Sequence, residues 1–127
     1  MLKVVSIPFI VIGIHFIMNY HQIQIEGINE EVFCLINGED TRYSSDFSNR
    51  NFRKIEIGMN EKQVLELLGK PLTRFSYSEK YNIREFENLH LVGFKHSDSP
   101  ESKNYHLRII HFEFGKVVRV MGELYHD

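Results

Sequence analysis

Residues 57–72 read IGMNEKQVLELLGKPL, and the fold turns on what this stretch needs around it. Asn60 is placed as an N-cap, its side-chain oxygen ready to accept from a free first-turn amide. Gln63 stands three residues on, where it reaches back to complete a capping box. Met59 precedes the cap and Val64 takes the staple position, so an apolar contact sets the entry angle. Val64, Leu67 and Leu68 make one apolar face with Leu65 at its margin, while Glu61, Lys62 and Glu66 stay wet. Gly69 ends the helix in a left-handed conformation and Pro71 prevents its resumption. An isolated helix this short is marginal in water. It therefore requires a sheet on which its apolar face can rest.

The following residues supply that sheet. Residues 73–78, TRFSYS, alternate as a strand, and residues 89–94 form another. Residues 96–104, HSDSPESKN, read as a polar loop. Residues 105–114, YHLRIIHFEF, form the longest strand, with Ile110, Phe112 and Phe114 expected on one face. Gly115-Lys116, with Gly first, suits a type II′ hairpin turn. Residues 116–124 return with Val118 and Val120 on one face, and Gly122 marks a bulge or a close approach. Upstream, Phe47 and Phe52 are the apolar contacts of a short helix near residues 46–54, capped by Ser44 or Ser45. Helices followed by a run of antiparallel strands specify an α+β domain. The expected architecture is two short helices on one face of a three- to four-stranded antiparallel sheet.

This order of signals resembles the SmpA/OmlA (BamE-like) outer-membrane lipoprotein domain family. The likeness rests on Gly58-Met59-Asn60, on the helix carrying Val64 and closing in Leu68-Gly69-Lys70-Pro71, and on Gly115-Lys116-Val117. It covers about residues 52 to 122. It implies two helices on a three-stranded antiparallel sheet, an architecture shared with secreted β-lactamase inhibitors. It also implies a non-enzymatic envelope protein that binds other proteins, in outer-membrane assembly or envelope integrity. The family's lipidated cysteine is missing here, since no Cys sits just after the apolar N-terminus and Cys34 lies too far along. The segment from Tyr81 to Asn104 is long for a connection.

That N-terminus, residues 4–18, reads VVSIPFIVIGIHFIM and carries no formal charge, with Lys3 before it. A basic start and an apolar run form a signal peptide or signal-anchor over residues 1–20. The run is shorter than the roughly 20 residues that span a bilayer comfortably. Lys3 is the only basic residue before Arg42, and Glu26, Glu30 and Glu31 follow, which orients the remainder outward, to the periplasmic side. Pro8 and Gly13 leave a buried N-terminal strand or helix as the alternative. Residues 21–44 read as an extension or linker, with QIQIEG and EEVFCLI as short strand candidates ahead of the Asn37-Gly38 turn. Residues 45–127 form the domain.

Of the 127 residues, 43% are hydrophobic and 25% charged, with a net charge of −2. This balance excludes the basic stripe of a nucleic-acid binder. The lone Cys34 permits no intrachain disulfide and reads as a small buried apolar residue. No histidine pair has a helical metalloprotease spacing or a zinc spacing. His111 and Glu113 share a strand face and form the one ligand pair worth weighing; His106 lies on the opposite face from Glu113. Glu85 and Glu87 read as solvated, and no serine sits in a nucleophile elbow. Gly58-Met59-Asn60 leads into a helix N-terminus, but Asn60 and Gln63 use its amides internally. No catalytic residue, cofactor or metal is expected. The Tyr and Arg types that dominate binding hot spots are Arg74, Tyr77, Tyr81, Tyr105, Arg108 and Arg119. The expected partner is another envelope protein, with the membrane engaged through the N-terminal segment. The alternatives are a secreted hydrolase inhibitor using the loop at 97–104 as a plug, and a small metal-binding or hydrolytic domain using His111 and Glu113.

Overall fold

The computed structural model describes residues 2–76 and 91–126, with side chains from residue 7 onward. These residues form five helices and two antiparallel sheets, an α+β arrangement. The helices are α1 (Leu2–Met18), α2 (Tyr20–Glu26), α3 (Ile28–Asn37), α4 (Asn49–Phe52) and α5 (Glu61–Leu68). The main sheet runs in the order β2 (Thr73–Ser76), β3 (Leu91–Lys95), β5 (Tyr105–Glu113), β6 (Lys116–Tyr125). A second sheet pairs β1 (Arg42–Tyr43) with β4 (Ser97–Asp98).

The helix of the opening stretch forms as its caps dictate. Asn60 Oδ1 accepts from the Gln63 amide at 2.9 Å and Gln63 Oε1 accepts from the Asn60 amide at 2.9 Å. Gly69 closes α5 at φ +73°, where a Cβ would also collide with Asp46. Val64 and Leu68 are fully buried and Leu67 packs beside them. They rest on Phe94, Ile110, Phe112 and Val117 from the sheet, with Phe52 of α4 and Ile55 completing the core. The Phe94 and Phe112 rings pack with centroids 4.6 Å apart. The helix entrance is also stitched to β6. Gly58 donates its amide to the Val117 carbonyl and Val117 donates to the Met59 carbonyl, each at 2.8 Å. Residues 58–60 and 115–117, far apart in sequence, thus form one joint.

Several expectations need correction. Residues 20–37 are helical, not stranded: Gly27 at φ +97° separates α2 from α3 and Gly38 at φ +76° ends α3. The alternation in QIQIEG is too short to prescribe a strand once helices pack beside it. Arg42 and Tyr43 are not linker, because they pair with Asp98 and Ser97. The stretch 97–104 accordingly begins as a strand whose Ser97 is buried. α4 is capped by Ser48, whose hydroxyl accepts from the Asn51 amide at 3.1 Å, rather than by Ser44 or Ser45. The hairpin turn is Phe114-Gly115, with φ +50° and +75° and Glu113 opposite Lys116. Two left-handed residues in sequence make a type I′ turn, not type II′. Phe114 therefore leaves the strand and is exposed, apart from Ile110 and Phe112. A register shift pairs His111 with Arg119 but Phe112 with Val117. Val118 is the extra residue of this bulge and faces solvent, while Val117 and Val120 turn to the core.

α1 forms through the apolar run, with Pro8 inside it. Among the described residues, no helix is long and apolar enough to cross a membrane.

Candidate functional site

Of the six residues proposed from sequence as partner-binding candidates, the four described ones do not share one face. Arg108 is the clearest departure, with 0% exposure. Strand parity puts His106, Arg108, Ile110 and Phe112 on the helix side of β5 and Tyr105, Leu107, Ile109 and His111 on the outer side. Arg74 lies opposite Phe94 on the helix side, with Nη2 3.5 Å from Glu61 of α5. Tyr77 and Tyr81 lie outside the described residues. Tyr105 and Arg119 do share the outer face.

That outer face holds a depression of about 410 Å³. Phe75, Leu107 and Ile109 are its apolar lining, and Tyr105 and Tyr125 pair across it with centroids 5.3 Å apart. The Lys95 ammonium lies 5.6 Å above the Tyr105 ring, a cation–π distance. Arg119 lies exposed further along, opposite His111. Sequence reasoning missed Lys95, Leu107, Ile109 and Tyr125. For Leu107 and Ile109 the signal was the apolar character of the odd positions in YHLRI, which competes with the polar even positions; Lys95 and Tyr125 had none.

The polar even positions go inward because partners wait there. Arg108 Nη1 donates to Glu26 Oε1 at 2.7 Å, and Nε donates to Asn49 Oδ1 at 2.9 Å. Its guanidinium carbon stands 5.5 Å from the centroid of the Phe52 ring. His106 Nδ1 lies 2.7 Å from Glu26 Oε2. The Glu26 side chain, only 1% exposed, thus joins α2 to β5 through both oxygens. Burial alone would raise its carboxyl. The His106 hydrogen bond and the Arg108 charge outweigh that and hold it below the ordinary range.

On the other ring nitrogen, His106 Nε2 stands 3.8 Å from Cys34 Sγ. Thiol, imidazole and carboxylate therefore lie in series at the edge of a cavity of about 260 Å³. This order resembles an activated cysteine, but the electrostatics oppose it. Burial, and then the charges of Glu31, Glu39, Glu26 and Glu30, push the Cys34 thiol up to about 12. A neutral thiol is neither the nucleophile nor the metal-binding form. The acidic surroundings raise the very pKa that catalysis would need lowered. The arrangement is a structural polar joint between helix and sheet.

His111 and Glu113 do lie on one face of β5, opposite Arg119 and Lys116 respectively. Among the described residues, no group of three or more His, Cys, Asp or Glu side chains is placed to hold a metal ion. The loop after β4 is pinned at its base. Asp40 accepts from the Ser99 hydroxyl and, at 2.8 Å, from the Glu101 amide.

No protein-family model, curated protein or solved structure gives a significant match to this chain.

Proposed function

We propose that this chain is a membrane-tethered, non-enzymatic binding domain of the cell envelope, of the SmpA/OmlA type. α1 holds it at the membrane, and the outer sheet face meets another envelope protein on the extracytoplasmic side. The observation that carries this reading is the exposure of α1. Ile7, Phe9, Ile10, Val11, Ile12, Ile14, Ile17 and Met18 all remain exposed, and Met18 reaches 80%. At about 100° per residue, these positions cover most of the circumference of the helix apart from the side of His15, which suits hydrocarbon around them. The outer depression supports the second half of the reading. Its apolar floor takes an aliphatic or aromatic side chain, and Lys95 at its rim favours a neighbouring carboxylate on the partner. The raised thiol of Cys34 speaks against covalent chemistry.

A photo-cross-linker at position 109, placed in the full-length chain, tests this. It should give one dominant adduct with an envelope protein, recovered from the membrane fraction and reduced about tenfold by Tyr105→Ala. Equal adducts from a cross-linker at position 62 on α5, or recovery of the chain in the soluble fraction, would overturn the reading.

A further inference from the structure

α3 is built inside out. Ile28, Val32, Leu35 and Ile36 are exposed, Ile36 at 77%. They stand at i, i+4, i+7 and i+8, a single stripe along the helix. At the stripe's inner flank stands Glu31, only 3% exposed, which accepts from Gln22 Nε2 at 2.7 Å and lies 2.6 Å from His15 Nε2. Cys34 and its His106 contact lie on that inner side too. A helix on a water-facing domain turns its apolar stripe inward. Here the carboxylate is inside and the aliphatic side chains are out.

α1 shows the same inversion where the two helices meet. His15 turns inward to Glu31, while Ile14, Ile17 and Met18 point outward. Exposed apolar side chains on both α1 and α3 thus accompany the inward His15–Glu31 contact. A further observation selects a bilayer as the occupant: Tyr20 follows α1 directly and is exposed, with the Arg53 guanidinium 5.7 Å from its ring centroid and Arg53 Nη1 2.8 Å from His21 Nδ1. An aromatic ring with a basic partner at the end of an apolar helix matches the headgroup level of a membrane.

We propose that α3 is a second membrane contact. Ile28, Val32, Leu35 and Ile36 lie in the acyl–headgroup boundary of the leaflet that holds α1. The domain then rests on the bilayer in one orientation instead of swinging from a tether. This inference rests on the tethering role given to α1 above. The charges around the stripe, Glu30, Glu39 and Asp40, are acidic, so the contact works by apolar burial and needs no anionic lipid.

The full chain in phosphatidylcholine vesicles provides the test. In a Cys34→Ser background, single cysteines from Ile36→Cys, Ile10→Cys and Lys62→Cys carry a fluorophore, and nitroxide lipids labelled high on the acyl chain act as quenchers. Quenching at position 36 should exceed that at position 62 by about threefold. In the otherwise unlabelled chain, Leu35→Asn with Ile36→Asn should lower vesicle retention without changing the far-ultraviolet spectrum. Quenching at position 10 but not at 36 overturns the inference and leaves the tether intact. Quenching at neither position overturns both. Energy transfer between labels at position 36 of different molecules, without lipid quenching, means that a second copy covers the stripe and also overturns the inference.

Discussion

The helical arm and the sheet body obey opposite rules. In the body, Phe52, Val64, Leu68 and Phe112 are buried and the charges of α5 face water. In the arm formed by α1, α2 and α3, Glu26 and Glu31 go inside and the isoleucines of α1 and α3 come out, while Ile25 of α2 packs on the core. The same hydrophobic effect explains both if the two surfaces meet different solvents. Between them lies a polar joint, Glu26 with His106 and Arg108, where an apolar interface would be the ordinary solution. Each region can be tested against the other.

The largest effect is expected at the joint. Glu26→Ala leaves Arg108 buried without its counter-charge and should cost about 3–5 kcal/mol of unfolding free energy in denaturant titrations. A loss below about 1 kcal/mol would show that the arm is not held to the body there. The acid limb carries a second signature. Because the folded carboxyl of Glu26 titrates below its ordinary value, its contribution is present above that ordinary value. It is lost as pH falls through the lower, folded one. Glu26→Gln should flatten that limb.

A smaller effect arises within the body. His96 is buried against Ser44, whose hydroxyl lies 2.9 Å from Nδ1, and burial pushes its pKa down from 6.5 to about 4. The unfolded chain therefore binds the proton first as pH falls. Stability should be intact above pH 6.5 and decline toward pH 4, by about 3 kcal/mol in all. His96→Gln should remove this slope and leave the Glu26 limb below it. A slope that persists in His96→Gln would refute the assignment.

The smallest expected effect sharpens the comparison most. Leu68→Ala should cost about 2–5 kcal/mol, as burial in the body requires. Ile36→Ser on the arm, although it removes an apolar side chain of the same size, should change stability in water by no more than about 0.5 kcal/mol. If Ile36→Ser costs as much as Leu68→Ala, the arm buries its isoleucines after all and the contrast fails.

What was legible in the sequence follows from the reach of each signal. The α5 helix was readable because Asn60, Gln63 and Gly69 act within a few residues of one another. The main strands were readable because Phe94, Ile110 and Phe112 carry a sheet-side pattern. α2 and α3 were not, since a few alternating residues in QIQIEG fit a strand as well as a helix. The placement of Arg108 was hidden for a different reason. Its partner Glu26 is 82 residues away, and without that carboxylate an arginine on a strand is rightly assigned to the surface. The bulge at Val118 was also silent, because valine carries no bulge signal of its own. Of the residues lining the outer depression, Tyr105 was among the sequence candidates, while Lys95 and Tyr125 were not. Their proximity exists only through strand pairing.

Gly122 has a consequence for descent. A Cβ at that position would come within 2.4 Å of Ile25 Cγ2 and 3.0 Å of the Phe52 ring, so the bare backbone of β6 is the seat on which α2 docks. Among homologous chains, this column becomes a marker: glycine should accompany a retained arm, and larger residues should accumulate where the arm has been lost or shifted.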